Sequence, residues 1–376
     1  MSTLIASQTV AQPPTGAEST SPSKPKAGSA IFSHRITWTL LALVLLILIN
    51  VIKDPSFLKV TLVNGALHGP LITILITCVP YMMIGVGMTI VVSTGGIDLT
   101  VGSIMAVSGS VAMTYMSRTG SGGFGAVLVG VGLALVVAIA FGAINGYLVS
   151  QVGLQPFITT LIMMLAVRGI AKTITGGQNI SINNSPLYSF IGTGTILGLP
   201  APFIIGTIIV LILALIIRKT ALGMMIESVG INKNASRMAG LNPKVIIFAV
   251  YVISAVLACF GGVFITGYTM TVTPAQTGWS FEMYAILAVV IGGTSLLGGK
   301  FSLAGAYVGA IIISLITTTI VWLGVSNQAT PAFTGAVVIV ICVLQSNLVH
   351  KAFANRRKKQ TSAVTPAAEA SLEVAE

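Results

Sequence analysis

Charge is the scarcest commodity in this sequence: 7% of its 376 residues are Asp, Glu, Lys or Arg. A soluble domain carries about 25%, because charged groups must cover its surface. With 55% hydrophobic residues, the outer solvent of this chain is lipid. Histidines number three, and HExxH, GxSxG and paired carboxylates are all missing. The common metal-dependent and hydrolytic chemistries lack their groups, so no enzyme, metal or cofactor is expected. The three cysteines, Cys78, Cys259 and Cys342, sit far apart inside apolar runs, which suits packing and supports no disulfide. Also absent is the alternating pattern of a transmembrane β-barrel. Unbroken runs such as "FIIGTIIVLILALII" exclude it.

What is present is a series of helical spans. About 20 apolar residues cross the hydrocarbon core, and ten candidates run at 37–52, 71–92, 99–117, 125–149, 155–174, 201–217, 245–268, 281–296, 302–323 and 331–349. The fold expected is an all-α polytopic membrane protein of about ten helices, some broken at glycine-rich joints. Basic residues orient it. With the N-terminus inside, the internal segments hold Lys24, Lys26, Arg35, Arg218, Lys219, Lys233, Arg237, Lys244, Lys300, Lys351, Arg356, Arg357, Lys358 and Lys359, which is 14 of 19. Only Lys53, Lys59 and Arg118 fall outside, so both termini are read as cytoplasmic. Residues 1–35 read as a disordered tail, 36–349 as the membrane domain, and 350–376 as a basic, then acidic and alanine-rich tail. The net charge of +11 then reflects topology anchors and attraction to membrane lipid headgroups. A nucleic-acid face would gather basic and aromatic residues together, and none does.

Two motifs fail on inspection. "GSGGFG" at 120–125 fits GxGxxG but sits in a short loop without the preceding strand. "TSLLGGKF" has Thr294 in place of the first P-loop glycine and Phe301 in place of the Ser/Thr after Lys300. The chain carries no nucleotide site of its own.

Four ionisable residues fall near membrane depth: Asp98, Arg168, Lys172 and Glu282. Each costs roughly 2.5–3.5 kcal/mol at the bilayer centre on insertion scales, so such groups face a bundle interior or a water-filled path. Lys172 and Glu282, near helix ends, could equally snorkel to the interface. Asp98 follows "STGG", which cannot hold a firm helix, and precedes "LTVGS", which restarts one. An acid there suits the positive end of the helix dipole, either as a plain N-cap or on a path. A second glycine-rich joint, "VVIGGTSLLGGKFSLAGAYVGA", occupies 289–310. "GAYVG" and "GAING" are close-packing stripes.

The segment 218–244, "RKTALGMMIESVGINKNASRMAGLNPK", is patterned. It predicts a short helix ended by Gly230, an N-cap at Asn232 and further helical turns to Gly240. Ala235, Met238 and Ala239 share one face, and exposed apolar residues there need a partner.

"GGIDLTVGS", "QPFITTLIMMLAVRG", "TALGMMIESVGINKNASRMAG" and "AILAVVIGGTSLLGGKFSLAG" resemble the permease subunits of bacterial ABC sugar importers of the ribose and galactose type. The likeness covers residues 65 to 349. "GGQNI", "RKTALGM" and "AILAVVIGG" are most similar to galactofuranose-type permeases. The resemblance implies that 218–244 is a coupling loop docking on a cytoplasmic ABC ATPase, with Glu227, Gly230, Asn232, Ala235 and Gly240 at the matching positions. It further implies a periplasmic sugar-binding protein, a second permease (identical or homologous) and a place in the bacterial inner membrane. Asn145, Gln155, Gln178 and Asn179 are candidates to hydrogen-bond sugar hydroxyls along the path. Two rival readings stand beside it. One is a proton-coupled secondary transporter relaying through Asp98 and Glu282; the other is a related branched-chain amino-acid permease.

Overall fold

The computed structural model describes residues 35–63, 65–120, 122–324, 326, 329–330, 332–336 and 339. Both tails, Cys342 and most of the expected span at 331–349 lie outside the described residues.

The described residues form helices with three two-stranded ribbons. In chain order the helices are α1 (Arg35–Lys53), α2 (Pro70–Ser93), α3 (Val101–Arg118), α4 (Phe124–Tyr147), α5 (Pro156–Thr175) and α6 (Pro186–Thr193), followed by α7 (Ala201–Lys219), α8 (Leu222–Ile231), α9 (Lys233–Met238), α10 (Pro243–Thr269), α11 (Phe281–Ile291) and α12 (Leu303–Trp322). Proline stands in the first turn of α2, α5, α6, α7 and α10, where its missing N–H costs nothing and its fixed φ is already helical. The ribbons are β1 (Thr61–Val63) with β2 (Ala66–His68), β3 (Ile180–Ser181) with β6 (Thr271–Val272), and β4 (Thr195–Ile196) with β5 (Leu199–Pro200), all antiparallel.

Six segments are long and apolar enough to cross a membrane: α2, α4 extended by its π-turn to Val152, α5, α7, α10 and α12. The chain is thus a multi-pass membrane protein. Of the other expected spans, 37–52 and 99–117 appear as α1 and α3. The expected span 281–296 is corrected: α11 stops at Ile291, because Gly292 closes it and Gly293 turns with φ 78°.

Burial sorts the bundle. α2 is 78% buried and α10 is 61% buried over their apolar windows, against 28% for α4, α5 and α7. With α12, also 61% buried, and the largely buried α3, the first two form the centre, while α4, α5 and α7 present Leu, Ile and Val outward. Lipid tails are as apolar as leucine, so helices cohere in a membrane through close small-residue packing. A Cβ on Gly87 would meet the Ser254 Cα at 3.2 Å, and one on Gly142 would meet the Tyr251 carbonyl at 3.0 Å. The "GAING" stripe therefore packs α4 on α10, and Gly87 packs α2 on α10.

Candidate functional site

The chain breaks between α2 and α3. Thr94, Gly95 and Gly96 return their N–H groups to Val91 and Val92 carbonyls, and Gly95 reverses the chain at φ 78°. Asp98 then turns inward and is 1% exposed. Its Oδ1 accepts from the Thr100 N–H at 3.0 Å and from the Thr100 hydroxyl, and its Oδ2 accepts from Ser254 Oγ of α10 at 2.9 Å. Asn145 of α4 donates Nδ2 to Thr100 Oγ1 at 2.9 Å, while its Oδ1 has no partner among the described residues. The Ile97 carbonyl accepts from Thr160 of α5 and Tyr251 of α10. One carboxylate thus ties the break to α10 and, through Thr100, to α4. Asp98 is not the N-cap. That position belongs to Thr100, and α3 starts one residue later.

A second break lies between α10 and α11. Residues 273–280 fold as successive turns, with Gly278 at φ 67° and Ser280 at φ 64°. Arg168 of α5 reaches across α3 to hold them: Nη1 donates to the Pro274 and Thr277 carbonyls, and Nη2 to the Gly278 carbonyl at 3.2 Å. Its guanidinium lies 5.8 Å from the Trp279 ring centroid. The breaks meet at Gly102 and Gly278. A Cβ on Gly102 would run into the Gly278 carbonyl and Glu282 Oε2. Glu282 Oε2 is buried there without a hydrogen-bond partner among the described residues. Lys172 is exposed near the end of α5.

The 218–244 segment folds as α8 and α9. Asn232 is the expected N-cap: its Oδ1 accepts from the N–H groups of Asn234 and Ala235, both at 3.0 Å. Gly240, at φ 83°, closes a Schellman turn in which Gly240 N–H bonds the Arg237 carbonyl and Leu241 N–H bonds the Ser236 carbonyl. Gly230 differs from expectation. It lies inside α8, which runs on to Ile231, so it does not end the helix. It is glycine because a Cβ there would overlap the Ser93 carbonyl and meet the Gly299 nitrogen at 2.7 Å. Gly299 in turn donates to the Ser93 carbonyl at 2.8 Å. The end of α2, helix α8 and the joint before α12 therefore interlock through backbone alone. Beside this lock the surface mixes apolar and basic groups: Met224, Ile231, Met238 and Leu297 are exposed, Met238 and Leu297 by 90% each, with Lys233 and Arg237 among them. Ala235 is exposed as well, and Glu227 is half-buried in a crevice with Arg218 and Phe301.

The other candidates scatter. Gln155 is exposed before α5, while Gln178 and Asn179 are exposed just beyond it. The 20 residues of α5 separate them by about 30 Å. A pocket of roughly 410 Å³ between α2, α10, α11 and α12, walled by Thr77, Tyr81, Phe281 and Thr317, contains none of them. Sequence reasoning missed Thr100 and Ser254 as partners of Asp98. Only Thr100 had a local signal, the Asp-x-Thr spacing of an Asx turn.

Residues 71–342 match the family described as branched-chain amino acid transport system / permease component. The fructose import permease protein of Bifidobacterium longum is 53% identical over 88% of this chain and 93% of its own length. The galactofuranose transporter permease protein of Escherichia coli is 40% identical, over 82% and 88%. The ribose import permease protein of the same species is 35% identical, over 82% and 92%. No solved structure matches the chain. With that family match over most of its length, and relatives aligned nearly end to end, the chain belongs to this family of transport-system permease components.

Proposed function

We propose that this chain is the membrane-spanning permease subunit of an ABC importer for a monosaccharide. It supplies the path, and a separate cytoplasmic ATPase supplies the energy. The observation that carries the reading is the interlock at Gly230, where α8, which with α9 exposes Met224, Ile231 and Met238, touches the backbone of the first break and of the joint before α12. A force applied to α8 and α9 reaches both without passing through a soft side chain. On this reading the 218–244 segment is the coupling loop, with Glu227, Gly230, Asn232, Ala235 and Gly240 shaping it. Met224, Ile231 and Met238 meet the ATPase.

The same reading places the chain in the bacterial inner membrane with ten spans and both termini cytoplasmic, supported by the 14-to-3 division of basic residues. A periplasmic sugar-binding protein delivers substrate, and a second permease, identical or homologous, completes the path. The relatives carry fructose, galactofuranose and ribose in their names, and identity to the fructose permease exceeds identity to the galactofuranose one. This puts a fructose-like monosaccharide ahead of galactofuranose. The family description keeps branched-chain amino acids in view. Against them, Arg168 already gives its guanidinium donors to carbonyls and is poorly placed to take a substrate carboxylate.

The test is uptake in proteoliposomes containing the permease, its ATPase and its binding protein. Uptake of labelled monosaccharide should require internal ATP and survive collapse of the proton gradient. Uncoupler-sensitive uptake with ATP supplied would instead favour a secondary transporter relaying through Asp98 and Glu282.

A further inference from the structure

We propose that Trp279 and Gln276 form a sugar-contacting face at mid-membrane depth, and that Arg168 is the positioning residue that holds them there. The inference rests on the permease reading above and assigns the specificity element of its path.

Depth comes first. α11 has 11 residues and rises about 16 Å, roughly half of a hydrocarbon core about 30 Å thick. Its far end, at Gly292, packs against Gly305 in the first turn of α12. Its near end, carrying Trp279 and Ser280, therefore lies near the middle of the membrane. The contact of Gly278 with Gly102, at the start of α3, agrees with this. The 273–280 segment thus dips back into the bundle after α10 has crossed it.

Exposure comes second. Gln276 is exposed and Trp279 is 62% exposed. Irregular backbone at this depth survives only when buried in protein or lining a water-filled cavity. A carboxamide facing hydrocarbon would cost several kcal/mol on the water-to-cyclohexane scale. In the importer proposed above such a face either packs on the second permease or opens on the path, and the polar carboxamide beside the ring suits the path.

The chemistry selects the occupant. An indole ring offers a broad apolar surface for the C–H face of a sugar, and a carboxamide offers two donors and an acceptor for its hydroxyls. Thr277 and Ser280 add hydroxyls on the same turns. Arg168 lies by the indole and spends its donors on carbonyls, so it acts through the segment and touches no substrate. The occupant that fits is a neutral polyol ring.

The test uses proteoliposomes of the complete importer with Trp279→Leu, Trp279→Phe, Gln276→Leu and Arg168→Lys. Two quantities are read: ATP hydrolysis stimulated by sugar-loaded binding protein, and uptake of labelled D-fructose, D-ribose and D-galactose. Trp279→Leu should cut uptake about five- to tenfold while stimulated hydrolysis stays near wild type, and Trp279→Phe should recover most of it. Gln276→Leu should change the ratio among the three sugars. Arg168→Lys keeps the charge but loses the fork, so it should lower the maximal rate and leave the ratio alone. Trp279→Leu and Gln276→Leu with wild-type rates and ratios would overturn the proposal while leaving the permease reading intact. A wild-type importer showing neither stimulated hydrolysis nor uptake of any of the three would overturn the permease reading, and the proposal with it.

Discussion

Between α2 and α3 the chain leaves hydrogen-bond donors unsatisfied, and a carboxylate collects them. Between α10 and α11 it leaves carbonyls unsatisfied, and a guanidinium collects those. Asp98 accepts from an amide and two hydroxyls; Arg168 donates to three carbonyls. Asp98 thus gathers one backbone amide and two side-chain hydroxyls, whereas the partners of Arg168 are all backbone carbonyls. A buried polar group is retained where its hydrogen bonds are complete. Glu282 faces the Arg168 charge, and its Oε2 has no hydrogen-bond partner among the described residues.

The sharpest way to break this comparison is Asp98→Ala. It orphans the Thr100 N–H and the hydroxyls of Thr100 and Ser254, each worth about 1–3 kcal/mol when left unmade in the interior. We expect loss of most folded protein, read as membrane yield and thermal midpoint in detergent. Asp98→Asn should fall between, and a wild-type midpoint for Asp98→Ala would reduce the carboxylate to packing.

Next in size is Gly102→Val, at the point where the two breaks touch. Its side chain meets the Gly278 carbonyl, and overpacking of this kind costs typically 1–3 kcal/mol. Uptake should drop together with the thermal midpoint. If both persist, the breaks do not depend on each other.

Gly230→Val separates the coupling helices from the breaks. Its Cβ overlaps the Ser93 carbonyl, so α8 must lift, while the spanning helices remain. Membrane levels should stay normal, with ATPase recruitment and uptake both low. Wild-type co-purification of the ATPase together with wild-type uptake would remove the coupling role.

The smallest stability effect belongs to Met238→Ser, because the side chain is 90% exposed. The thermal midpoint should move by no more than the ±0.5 kcal/mol usual for surface changes, while ATPase association weakens. Unchanged association would mean that this face docks nothing.

Much of this was legible in the chain, and for local reasons. Asn232 and Gly240 announce their caps because an N-cap and a Schellman turn span only a few residues. "STGG" announces a break because two glycines weaken any helix. Gly230 was misread for the complementary reason. A glycine can end a helix or admit a neighbour, and its flanking residues do not distinguish the two. The neighbour here, Ser93, is far away in sequence.

The amino-acid order by itself determined that the chain spans a membrane, that a helix gives way at "STGG", and which short caps close the 218–244 turns. Hydropathy, propensity and capping act over a few neighbouring residues, so a linear reading captures them. Only the tertiary structure decided what each intramembrane charge serves. Arg168 meets carbonyls 106 to 110 residues away, and Asp98 meets a hydroxyl 156 residues away. Which backbone groups lack partners at depth depends on where distant segments cross, and that is set by the packing of small residues between helices.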